Sequence, residues 1–276
     1  MKQSINLREI IYIEMENKNE SIASGILKYS LSAWINLIVG FLSVIITTRI
    51  LAPDTYGNIS IFISSTGFLM YVVSLGMDGA YIRFYNEPPG DDTKNQLLYK
   101  LLVIATLICS ASCVIVSVFF YSQLSNFIFG FISRILVIAV FLYTYCQIML
   151  RFLNITFRMG FNVKQYNIQN VFINCLARVL IIVSAFFTEN YVSIILTMTV
   201  GTFIVLLFYL FKQRKEMIPV DLTGRISLSL SFSGYSEFMK FAVFSAPTYF
   251  VAYFNTFASQ QIIRSNLGAY DLGIFS

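Results

Sequence analysis

Residues 27–83 read LKYSLSAWINLIVGFLSVIITTRILAPDTYGNISIFISSTGFLMYVVSLGMDGAYIR, and the fold is decided by how this stretch is divided. Two uncharged runs, 29–48 and 55–77, lie within it. Each reaches the roughly 20 apolar residues that a helix needs to cross the hydrocarbon core of a bilayer. Arg49, Pro53, Asp54 and Gly57 fall between them. A proline and a glycine so placed end one helix and turn the chain into the next.

The rest of the chain agrees with this division. Hydrophobic residues make up 57% and charged residues 12%, with a mean hydropathy of +0.72. An ordinary soluble domain has about a quarter of its residues charged, so an integral membrane protein is predicted. The 27 Phe and 17 Tyr suit lipid-facing helices and interfacial belts. A net charge of +5 does not point to nucleic acid, because the basic residues are dispersed between apolar runs. Histidine is absent, which removes the commonest metal ligand and general base. Cys109, Cys113, Cys146 and Cys175 all sit in apolar runs and read as small buried hydrophobes. No disulfide, metal, cofactor or catalytic residue is predicted.

Taken in order, residues 1–23 are expected to be a cytoplasmic tail, with residues 1–14 a start-site artefact ahead of Met15. Helices are predicted at about 24–48, 57–83, 97–121, 131–152, 168–187, 192–211 and 238–263. The uncharged run 101–133 exceeds one span, so the polar cluster Ser122, Gln123, Ser125 and Asn126 is predicted to be a turn. The fold class is therefore all-α, a polytopic membrane protein of about seven transmembrane helices. Its predicted parts are a tail at 1–23, a six-helix lobe at 24–211, a cytoplasmic linker at 212–237 and the first helix of a second lobe at 238–276.

Orientation follows from lysine and arginine. With the N-terminus in the cytoplasm, 15 of the 19 basic residues fall on the cytoplasmic side. Arg49, Arg134 and Arg264 fall outside and Arg178 within the membrane, as the positive-inside rule expects.

The motif R-I-L-A-P-x-x-Y-G at residues 49–57, followed by G-M-D-G-A-Y-I-R-F-Y-N-E at 76–87, resembles the polysaccharide flippases of the multidrug/oligosaccharidyl-lipid/polysaccharide exporter superfamily. The resemblance runs over residues 24–276. It implies two six-helix lobes that rock around a central cationic cavity. An internal repeat fits this: Leu27, Lys28 and Tyr29 align with Met239, Lys240 and Phe241, and LAPDTYGNIS with LGAYDLGIFS, matching Gly57 with Gly273. Six helices separate the copies, so the repeat is parallel, about an axis along the membrane normal. The chain is accordingly expected to be a first lobe plus one helix of a longer transporter.

Candidate site residues are the ionisable and polar groups within apolar helices, where charge is costly. Arg178 is the sharpest, facing either a cavity or, by snorkelling, an interface. Arg49 and Arg264 lie at equivalent ends of the first and seventh predicted helices, which in the family line the cleft. They read either as diphosphate contacts or as interface anchors. Asn36, with Ser32 and Trp34, offers contacts to sugar or to a packed helix. Asp78 and Arg83 are expected to form a gating or structural ion pair, and Asp91 and Asp92 a loop surface.

The function implied is translocation of a polyprenyl-diphosphate-linked oligosaccharide across the cytoplasmic membrane for O-antigen, capsule or exopolysaccharide synthesis, without enzymatic chemistry. The partners are that lipid-linked substrate and the lipid bilayer, with polymerase and chain-length machinery beside them. Alternatives are a peptidoglycan-precursor flippase or a multidrug exporter of the same superfamily. From another class come a membrane enzyme of polysaccharide synthesis and an inactive lobe.

Overall fold

A computed structural model describes the backbone of residues 7–90, 92–218 and 234–276, with side chains from residue 27 onward except those of 216, 249 and 252. Every element among them is helical: α1 (Leu7–Ile50), α2 (Pro53–Ser74), α3 (Met77–Phe84), α4 (Lys94–Ile115), a π-helical turn (Val116–Phe120), α5 (Tyr121–Phe129), α6 (Arg134–Met159), α7 (Val163–Phe187), α8 (Tyr191–Lys212), α9 (Arg214–Met217), α10 (Ser236–Leu267) and α11 (Ala269–Phe275). Six described helical stretches are long and apolar enough to cross a membrane: Leu27–Ile50, Pro53–Ser74, Lys94–Phe129, Arg134–Met159, Val163–Phe187 and Tyr191–Lys212. A seventh long helix, α10, has no charged residue from 241 to 263 and contains Pro247. The protein is thus an all-helical, multi-pass membrane protein.

Several boundaries differ from expectation, each for a local reason. The predicted tail is helical from Leu7 and continuous with α1, while residues 1–6 lie outside the described residues. Most of the predicted linker, 219–233, also lies outside them. The predicted helix at 57–83 is broken at Leu75 and Gly76, both in the left-handed region at φ 45° and 73°. The predicted connection after residue 152 is mostly helix, since α6 runs to Met159 and α7 begins at Val163.

The largest difference is at residues 122–126, where no turn forms. The chain runs as one 36-residue span from Lys94 to Phe129, relieved by the π turn, and reverses at Gly130, whose φ is 71°. Ser125 explains why a polar residue sits there. Its hydroxyl, fully buried, donates 2.8 Å to the Phe131 carbonyl and accepts 2.9 Å from the Ser133 amide. It organises the turn from a helical turn away.

The connections with most basic residues lie at one end, hereafter the basic end; the α1–α2, α5–α6 and α7–α8 corners lie at the other. α6 is the most buried span and packs against α2, α4, α7 and α8. α1 packs chiefly on α7, not on its chain neighbour α2, which packs instead on α6, α10 and α11. Two walls result, α1 with α7 and α2 with α10, standing either side of α6. Apolar clusters fill the two ends, around Tyr81, Leu101 and Phe152 at the basic end and around Ile59, Phe62, Leu136 and Met198 at the other.

Candidate functional site: a polar cleft between two walls

On α6, Gln147, Arg151, Asn154 and Arg158 follow at intervals of four, three and four. On α7, Asn167, Asn170, Asn174 and Arg178 follow at three, four and four. That period places each set on one helix face. The packing turns the two faces toward a common space.

A cavity of about 490 Å³ opens between the walls, with Arg178, Asn174, Gln147, Ser43, Tyr253 and Gln260 among its lining. A second chamber of about 340 Å³ lies toward the basic end and is lined by Asp78, Arg151, Asn154, Arg158, Tyr166 and Asn170. Met70, Gln147, Ile173 and Asn174 line both, so the two form one cleft.

Arg178 Nη1 donates 2.8 Å to Ser43 Oγ, and its guanidinium lies over Gly40, where an added Cβ would stand 3.0 Å from that nitrogen. Glycine at 40 thus gives the arginine room to reach across from α7 to α1. Among the described residues no carboxylate pairs with Arg178. Arg151 is balanced: it bonds Asp78 Oδ2 and the Tyr71 hydroxyl, each at 2.5 Å, and lies over the Tyr71 ring. Arg158 is exposed and also lacks a carboxylate partner among the described residues. The cleft therefore carries two uncompensated guanidinium groups and a set of amides and hydroxyls. Such a surface suits an anionic, hydroxyl-rich ligand.

The predicted residues do not all converge here. Arg178 lines the cavity, whereas Arg49 is exposed beyond its lining. Arg264 is held away, its guanidinium bonding the Ile128 and Phe129 carbonyls at the end of α5 and Asn58 Oδ1. Asn36 is half-buried with a carbonyl oxygen that has no partner, and it is not among the lining side chains. Asp78 does not pair with Arg83, which is exposed; the helix break at Leu75–Gly76 turns it toward α6 and Arg151 instead. Asp92, expected on a loop surface, accepts 2.6 Å from Lys100 Nζ and 2.5 Å from the Tyr235 hydroxyl; Asp91 lies outside the described residues. Gln147, Arg151, Asn154, Asn170 and Asn174 were not singled out from the sequence, although their helical spacing was visible there. Among the described residues no group of three metal-ligating side chains comes together.

A multi-pass helical bundle enclosing a cationic, amide-lined cleft defines the class as a helical membrane protein with a polar cleft inside its bundle. The profile of the polysaccharide biosynthesis protein family matches residues 22–276, and the chain belongs to that family. No curated protein and no solved structure gives a significant match.

Proposed function

We propose that the protein takes part in translocating a polyprenyl-diphosphate-linked oligosaccharide across the cytoplasmic membrane. The observation that carries this reading is the pair of facing polar stripes on α6 and α7, ending in the guanidinium groups of Arg178 and Arg158, which have no carboxylate partner among the described residues. Family membership supports a role in polysaccharide biosynthesis and export, and the stripes supply what a phosphorylated sugar needs. Guanidinium groups bind the diphosphate, and amides and hydroxyls meet the sugar. The lipid tail stays in the bilayer. In this reading no covalent bond is made or broken, the basic end lies in the cytoplasm, and polymerase and chain-length machinery are downstream partners.

Complementation of a flippase-deficient strain tests the proposal. Arg178→Ala removes charge-assisted bonds worth about 1.5–3 kcal/mol, which converts to about a 10- to 100-fold loss of affinity. Polymer output is expected to collapse in Arg178→Ala and to recover partly in Arg178→Lys at equal protein level. Full output from Arg178→Ala together with Arg158→Ala would overturn the reading.

A further inference from the structure

The 76–87 motif sends Asp78 into the cleft, but its tyrosines serve another space. Tyr81 and Tyr85 of α3 line a separate pocket of about 240 Å³ at the basic end, which shares no lining residue with either chamber of the cleft. The first turn of α4 supplies Lys94 and Asn95, the end of α6 supplies Thr156 and Gly160, and Asn162, in the turn to α7, completes the rim. The Tyr81 and Thr156 hydroxyls bond at 3.0 Å and fix α3 against α6 at its back.

The charge in this pocket is of one sign. Lys94 is the ionised side chain of its lining, and no carboxylate stands beside it there. The Lys94 ammonium donates 3.1 Å to Asn86 Oδ1 and lies 4.8 Å from the centre of the Tyr85 ring. Both partners are neutral, and among the described residues Lys94 forms no salt bridge. An ammonium has three protons to donate, and Asn86 takes one. Asn162 Oδ1 accepts from the Gln165 amide, so the NH2 group is what Asn162 offers a ligand. Glycine at 160 keeps the pocket open: an added Cβ would stand 3.2 Å from the Thr156 carbonyl oxygen and 3.8 Å from the Tyr85 hydroxyl. A point charge ringed by neutral donors at several angles suits a tetrahedral oxyanion better than a planar carboxylate. The volume lies below the roughly 300 Å³ at which pockets for drug-sized ligands begin, so the ligand is small.

We infer that this pocket binds the phosphate group of a small phosphomonoester, at a site distinct from the cleft. Lys94 meets its charge, Asn95 and Asn162 donate to its oxygens, and the rings of Tyr85 and Phe157 border its ester carbon. The inference does not depend on the transport reading. Because Lys94 also begins a membrane-capable span, the phosphate can come from solution or from a lipid headgroup, and the test separates the two.

That test is acylation of Lys94 by an amine-reactive ester in the full chain in uncharged detergent, read by mass spectrometry, with the exposed Lys212 and Lys240 as references in the same digest. Inorganic phosphate is titrated at constant ionic strength to about 30 mM, a range that reaches millimolar dissociation constants. Phosphate at ten times its dissociation constant is expected to slow modification of Lys94 about tenfold and to leave Lys212 and Lys240 unchanged. Asn95→Asp sets a carboxylate in the pocket without added bulk, and Gly160→Leu fills it. Each is expected to weaken the protection about tenfold or more while Lys94 stays reactive. Protection by glycerol 1-phosphate in solution identifies a soluble ligand, and protection by phosphatidic acid in the micelle alone identifies a lipid; both uphold the site. A Lys94 rate unmoved by phosphate, glycerol 1-phosphate and phosphatidic acid would overturn it. So would protection that persists at full strength in whichever of the two variants folds.

Discussion

At the scale of single residues, Asp78 shows how a charge settles in this bundle. Its Oδ2 bonds Arg151 at 2.5 Å, while its Oδ1 is buried without a partner among the described residues. Breaking such a pair from one side leaves an uncompensated charge, at a cost of about 3–5 kcal/mol, whereas removing both partners is often nearly neutral. Asp78→Ala is therefore expected to lower the melting temperature more than Asp78→Ala combined with Arg151→Met. Equal losses would show that the pair does not matter to folding. The sequence marked Asp78 as an ion-pair former but not its partner. Arg83 is near in sequence, and only the helix break brings Arg151, 73 residues away, within reach.

Among elements, the Lys94–Phe129 span is instructive because its length and polarity argued for a turn it does not have. Ser122, Gln123, Ser125 and Asn126 are polar, yet the chain reverses at Gly130, where a left-handed φ is needed and glycine supplies it at no steric cost. Ser125→Ala would leave the half-buried Ser133 amide without its acceptor, a loss of about 1–3 kcal/mol. Ser125→Thr keeps the hydroxyl and is expected to lose less; thermal unfolding of the two variants in detergent compares them. The stripes on α6 and α7 were legible by period alone. That they face one another was not, because facing depends on how α6, α7 and α1 pack.

The whole molecule is held in its present arrangement by the docking of α10. At the basic end, Tyr235 donates to Asp92, which also takes Lys100, and the Lys100 ammonium stands 4.9 Å from the centre of the Tyr235 ring. Midway, Tyr253 stacks on Tyr71 at 3.9 Å between centroids. Burial, the hydrogen bond to Asp92 and that carboxylate's charge hold the Tyr235 phenol above its ordinary value. Since the folded state keeps the proton more tightly, this contribution to stability is complete below the ordinary tyrosine value of about 10 and is lost as pH rises above it. Melting followed from about pH 8 to about pH 11 is expected to fall more steeply for the unaltered chain than for Tyr235→Phe. Parallel curves would mean that the clamp does not feel this titration.

Composition and apolar run length were enough to set the membrane class and most of the spans, because burying a polar backbone in lipid leaves a long apolar helix almost no alternative. The residues of the 49–57 and 76–87 motifs were enough to suggest the family that the chain belongs to. Tertiary packing decided the site. It gave α7 to α1 and α10 to α2, set Arg178 in the cleft on Ser43 with no carboxylate partner among the described residues, and drew Arg264 onto the end of α5. Those outcomes turn on which helix faces which, and on α1, α2 and α10, where hydropathy is nearly the same all round, faces are chosen by close contacts such as Gly57 against Ala269.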